Sequence, residues 1–330
     1  MSQAKASAPA KIILFGEHFV VYGNPAILAA IDKRISVHAR TLSYHDDKVV
    51  IRSDIGVAGE YKQSGDFFKA LEGGEKAKAV LDPLYGAVRQ VLSTKKNKKV
   101  GIEVNILSTV PLGIGLGSSA ASCVATVAAV NLLFEKSTSR QQVCEIAIES
   151  ERQIHKRTSG ADCYVSTFGG LIQYHGKSKS FENIERKGSL PLVVASTGIK
   201  HKTSDLVVAV NRFKEENKIV FESLAKQARD ICFQALAAIK SGNGDRIGEL
   251  MNENQILLQQ IGISHESIHA IIDICNKAGA IGAKITGAGG GGAIVALASS
   301  KLESIKIASQ LKEAGYQSFE VEIDYKGLSV

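Results

Sequence analysis

Residues Pro111-Leu112-Gly113-Ile114-Gly115-Leu116-Gly117-Ser118-Ser119-Ala120-Ala121 have the make-up of an anion cradle. Three glycines alternate with aliphatics, so the backbone can approach a ligand closely and adopt left-handed conformations. An apolar run, 123–134, follows the two serines. A helix starting there leaves its first N–H groups without intrahelical partners, and those groups favour a phosphate. Serine hydroxyls beside a phosphate can also hold Mg²⁺. The loop alone leaves alternatives open. A Rossmann turn needs its third glycine one residue later, and a Walker loop needs a lysine that is absent here. A tight strand-to-helix turn with close packing fits the same residues.

Four further groups could serve phosphoryl chemistry. Lys11 opens the apolar run 11–15, and Glu17 and His18 stand where that run breaks. Glu151 lies on a helix expected over 139–156, and Asp162 lies in the polar turn that follows it. Each alone also fits a surface or capping role. Two other patterns compete. His265-Glu266-Ser267-Ile268-His269 matches the zinc-hydrolase spacing H-E-x-x-H, but Ser264 should start that helix, and no third ligand is evident. Gly176-Lys177-Ser178 resembles the end of a Walker loop, yet no apolar helix follows, so a hairpin turn is expected there.

The elements that must position these groups alternate irregularly. Strand patterns are expected at 11–15, 19–22, 35–41, 49–53, 101–110, 163–168, 171–174, 192–195, 293–298 and 318–325. Helices are expected at 83–92, 120–134, 139–156, 206–240 with a break near 216–218, 246–260, 264–277 and 302–314. The segment 54–74 reads as irregular, and adenine contacts are sought there. A second glycine-rich turn occupies 285–292. Without strict βα alternation the chain reads as α+β.

A chain of 330 residues accommodates two domains, divided here into 1–170 and 171–330. With 45% hydrophobic and 22% charged residues it can bury a large core, which excludes a disordered chain. The net charge of +7 is dispersed apart from Lys95, Lys96, Lys98 and Lys99, a cluster that suits a solvated turn better than a nucleic-acid patch. A mild positive field suits an anionic substrate. Five cysteines without a C-x-x-C pair point to reduced thiols and a cytoplasmic protein. Neither a signal peptide nor a membrane-spanning run is read.

Three separated stretches carry a family resemblance. Ala8-Pro9-Ala10-Lys11-Ile12-Ile13-Leu14-Phe15-Gly16-Glu17-His18 resembles the first motif of the GHMP small-molecule kinases. Residues 111–121 resemble their phosphate-binding motif, and Ile285-Thr286-Gly287-Ala288-Gly289-Gly290-Gly291-Gly292 their third. Ser159-Gly160-Ala161-Asp162 with Ser166-Thr167-Phe168-Gly169-Gly170 looks like the mevalonate kinase branch. The resemblance implies a two-domain α+β fold, with a ribosomal-protein-S5-like N-terminal domain containing a left-handed βαβ unit, a C-terminal α/β domain, and the active site in the cleft. It implies ATP and mevalonate as substrates, Mg²⁺ as cofactor and a homodimer; phosphomevalonate kinase or another GHMP small-molecule kinase is the alternative. Carried over by position, Asp162 matches the catalytic aspartate and Lys11 the lysine near the transferring phosphate. Ser119 and Glu151 match the Mg²⁺ ligands, and Glu17, His18, Thr203 and Gly289 match substrate-side positions. Two residues depart. Ala10 replaces a glycine usual in that branch. His201 stands near an arginine that meets the substrate carboxylate, so His201, helped by Lys202 or Thr203, is expected to take that contact.

Overall fold

The computed structural model describes residues 2–330 except 45, 65, 96–99, 112, 155–158, 179 and 200–202. Its first half is built on one long hairpin. β1 (Gln3–Phe15) pairs antiparallel with β2 (Pro25–Tyr44). In its outer part β1 alternates between exposed and buried residues; from Ala8 inward it is buried on both faces. That change marks where helices cover the sheet. The turn between them is a 3₁₀ helix, Phe19–Tyr22, not the strand expected from its aliphatic content.

The far edge of β2 is shared. Its C-terminal half pairs with β6 (Val100–Ser108), and residues 25–29 pair with β7 (Leu171–His175). β3 (Lys48–Ser53), β4 (Val57–Lys62) and β5 (Phe68–Glu72) extend the sheet beyond β6. The glycine-rich stretch expected to be irregular therefore contributes two strands. β8 (Ser180–Ile184) closes the other side, and residues 176–178 form the hairpin turn between β7 and β8. Both strands belong to the first sheet, which therefore includes residues up to Ile184.

Three helices pack on this sheet, α1 (Glu75–Ser93), α2 (Ser118–Leu132) and α4 (Ala161–Phe168), and α3 (Arg140–Ile154) packs against all three. α1 begins at Glu75 and runs through Pro83, which the sequence suggests as its start. α2 is apolar on nearly every side because β1, β2 and the other three helices surround it. α4 replaces an expected strand. Val165 and Thr167 favour a strand locally, but Thr167 Oγ1 donates to the Cys163 carbonyl at 2.7 Å and the segment packs on α2, α3 and β1. Tertiary packing overrides propensity there.

The second half contains a four-stranded antiparallel sheet ordered β10-β11-β9-β12, from β9 (Leu192–Ser196), β10 (Gly282–Thr286), β11 (Ala293–Leu297) and β12 (Gln317–Val321). Its helices are α5 (Thr203–Glu216), α6 (Lys218–Ser241), α7 (Gly244–Gln260), α8 (Glu266–Lys277) and α9 (Lys301–Glu313). Beyond β12 the chain returns to the first sheet, where Ser329 bridges Ser7 and Arg34 pairs with Asp324. Among the described residues no helix is long and apolar enough to cross a membrane.

Candidate active site

The phosphate-loop candidate runs from the end of β6 to the start of α2. Lys11 fastens it twice. Its backbone N–H donates to the Leu116 carbonyl at 2.9 Å, and its ammonium donates to the Gly115 carbonyl at 3.3 Å. Gly117 caps α2 in the left-handed region, φ 71°, and a Cβ there would lie 2.8 Å from Lys11 Cγ. Glycine at 117 is therefore required by both backbone and space. Ser118, Ser119 and Ala120 open α2, so their N–H groups face the loop without helical carbonyl partners. Leu112 lies outside the described residues; Pro111, Gly113 and Ile114 complete the approach, and Ala121 continues the helix.

The lysine that holds this loop also faces the acid. Lys11 Nζ lies 3.4 Å from Asp162 Oδ2; the lysine side chain is buried and the aspartate is 39% exposed. Asp162 occupies the first turn of α4, where a carboxylate is favoured by the helix dipole. Gly160 caps that turn, and a Cβ on it would lie 2.8 Å from Ile148 of α3. This close approach brings the second acid alongside. Glu151, on α3, is buried and accepts from the Cys163 thiol at 3.4 Å. Burial pushes its carboxyl above the ordinary value, and the charge of Asp162 adds to that. Hydrogen bonds from Cys163 and Ser119 and the charge of Lys11 oppose the rise. A hard cation fits here. Glu151 and Ser119 offer oxygen donors, and the strain between two neighbouring carboxylates is what a divalent ion relieves.

His18 Nε2 donates to the Ala288 carbonyl at 2.8 Å, and burial lowers the imidazole pKa. His18 is the one non-glycine residue with positive φ among the described residues. Glu17 is fully buried and pairs with Lys284 of β10. Gly289 is buried against Ile263. Thr203 opens α5 and is exposed. His201 and Lys202 lie outside the described residues, as does the lysine run 96–99.

Sequence reasoning missed two features. A cavity of about 310 Å³ opens beside the start of α2. Its walls include Ile55, Val80, Pro83, Leu84 and Ile106, with Ser119 at the loop end. Of the segment 54–74, only Ile55 lines it. The cavity depends on α1, whose apolar face gives no separate sign of a ligand. The second feature is Lys284, one charge between apolar neighbours in β10.

The rival zinc pattern does not assemble. His265 is the N-cap of α8 with extended backbone, and its Nδ1 accepts from the Ser267 N–H. His269 Nε2 bonds Ser264 Oγ at 2.8 Å. Only His269 lies within α8, so the two imidazoles do not share one helix face, and no group of three or more His, Cys, Asp or Glu side chains that could hold a metal is present among the described residues.

Comparison with known proteins agrees with this geometry. The family model "GHMP kinases N terminal domain" matches residues 82–170, and "GHMP kinases C terminal" matches 235–317. The chain is 38% identical to mevalonate kinase of Pyrococcus furiosus, over 98% of this chain and 97% of that one. It is 35% identical to mevalonate kinase of Archaeoglobus fulgidus, covering 88% and 91% respectively. Among solved structures it resembles L. major mevalonate kinase in complex with R-mevalonate, with TM-score 0.82, 29% identity and 98% of each chain covered. Methanococcus jannaschii mevalonate kinase superimposes with TM-score 0.79 at 26% identity, again over 98% of each chain. The glycine turns, the Lys11–Asp162 pair and the full-length likeness lead to one assignment: the chain belongs to the GHMP kinase family.

Proposed function

We propose that this protein is an ATP-dependent mevalonate kinase, transferring the γ-phosphate of ATP to the 5-hydroxyl of mevalonate. The Lys11–Asp162 pair at the phosphate loop is the observation that carries the reading. Phosphoryl transfer depends on positioning and on neutralising charge. The N–H groups at the start of α2 meet the phosphates, and the apolar cavity beside them takes the adenine. Lys11 stands between loop and acid, where its ammonium meets the charge on the transferring group. Asp162, half open to the cleft, accepts the proton of the attacking hydroxyl. His18, and His201 on the sequence resemblance, take the acceptor side. Ser119 and Glu151 would hold Mg²⁺, which when bound neutralises phosphate charge. Five buried free thiols suit a cytoplasmic location.

Incubation with ATP, Mg²⁺ and mevalonate, followed by ³¹P NMR, should show ADP and one new phosphomonoester. ATP left intact, or hydrolysed to inorganic phosphate alone, would refute the reading.

The metal assignment makes its own prediction. Glu151→Gln removes an anionic ligand and Ser119→Ala a neutral one, so the glutamate change should weaken Mg²⁺ more. Titrating Mg²⁺ against binding of a fluorescent ATP analogue should show the Glu151→Gln midpoint raised about tenfold or more, given how steeply ligand charge tunes affinity. Overlaid wild-type and variant titrations would remove Glu151 from the metal site.

A further inference from the structure

Lys284 sits in the middle of β10 with no exposure. Taking an ammonium out of water is costly unless it is paired. Its charged partner is Glu17, also without exposure and 267 residues away in sequence. Lys284 donates in addition to the carbonyl of Ile285. Burial pushes the Glu17 carboxyl up and the Lys284 ammonium down, and each group counteracts the other's shift. Such a pair is weak evidence for stability, because apolar residues of similar volume often serve as well. Its position suggests another use.

The pair is the middle rung of a seam. On one side Thr286 Oγ1 accepts from the Ile13 N–H at 2.8 Å and donates to the Ile13 carbonyl at 3.0 Å. On the other, His18 bonds the Ala288 carbonyl. The three rungs join the end of β1 to the third glycine turn. That turn in turn faces the phosphate loop: a Cβ on Gly287 would lie 3.5 Å from the Gly115 carbonyl. Glu17 Oε2 is buried and has no hydrogen-bond partner among the described residues, and Lys284 is the side chain with which Glu17 forms its ion pair. His18, next in sequence, is held at φ 58°. A bulky residue keeps that backbone only where its surroundings over-determine it.

We propose that Lys284 is a positioning residue for the acceptor: by anchoring Glu17 it sets where His18 and the third glycine turn stand, and Glu17 acts through this anchor rather than by touching substrate. The proposal rests on the mevalonate kinase reading only for the identity of the acceptor.

Two measurements on Lys284→Met and the double variant Glu17→Gln/Lys284→Met test it. Amide hydrogen exchange at 13–19 and 286–292 should accelerate in Lys284→Met by about tenfold or more, as expected when a local anchor is lost. KM for mevalonate should rise by about 10²-fold, the scale of an ångström of misplacement. KM for ATP should change far less than KM for mevalonate, because Lys11 fastens the phosphate loop through Leu116 and Gly115 independently of Lys284. The double variant removes both charges, so its Tm should recover while KM for mevalonate stays raised. If the single variant does not fold, the double variant decides the kinetic question. Unchanged exchange in both segments would overturn the proposal, as would a double variant with wild-type KM. The exchange measurement needs no substrate, so it stands apart from failure of the mevalonate reading itself.

Discussion

Asp162→Asn should lower kcat by about 10²–10⁴-fold, the range lost with a positioned general base. The amide keeps the size and the place in the first turn of α4, but it cannot take a proton from the attacking hydroxyl. Nor can it pair as an anion with Lys11, which lies 3.4 Å away. ATP binding should stay close to wild type, since the phosphate loop is held by Lys11 through Leu116 and Gly115 rather than by the aspartate. The measurement is steady-state kcat alongside nucleotide affinity by fluorescence titration. Turnover near the wild-type value would take Asp162 out of the chemistry.

Lys11→Met should cost about 10²–10³-fold in kcat, the scale of one lost electrostatic contact to the transferring group. It should differ from the aspartate variant by also weakening ATP. The ammonium bonds the Gly115 carbonyl, so its loss frees one of two fastenings of the phosphate loop. The backbone fastening to Leu116 remains, and methionine fills similar space beneath Gly117. The fold should therefore survive. Lys11→Arg should not restore activity, because a planar guanidinium cannot put its charge where the compact ammonium meets both the Gly115 carbonyl and Asp162. Kinetics of both variants, with circular dichroism as a control for folding, check this. An arginine variant with wild-type kcat would show that charge alone matters.

The chemistry was more legible in the sequence than the architecture around it. Lys11, Glu151 and Asp162 stand out because a charged group beside a turn or a break is visible in one dimension. The structure places them near one another, with Lys11 paired to Asp162 and the charge of Asp162 acting on Glu151. Elements whose form depends on distant packing were misread. Cys163–Phe168 has strand-forming residues, yet contacts with α2, α3 and β1 make it the helix that carries Asp162. The glycines of 54–74 suggested irregular chain, but β3 supplies the pairing that turns 57–62 into a strand. Lys284 was invisible as a site residue because its partner is 267 positions away. His265 and His269 mark the converse case, a local pattern that the fold does not use. Their spacing suits a metal only if both lie on one helix, and His265 lies outside it.

On the proposed reading this cleft phosphorylates mevalonate. A coupled ADP-release assay over mevalonate, phosphomevalonate, galactose and homoserine, with ATP and Mg²⁺ saturating, tests it most directly. The account predicts the highest kcat/KM with mevalonate, by about 10²-fold or more over the other three, since a polar acceptor site rejects ligands that leave its groups unpaired. A higher kcat/KM with any of the other acceptors, or no acceptor-dependent ADP release at all, would contradict it.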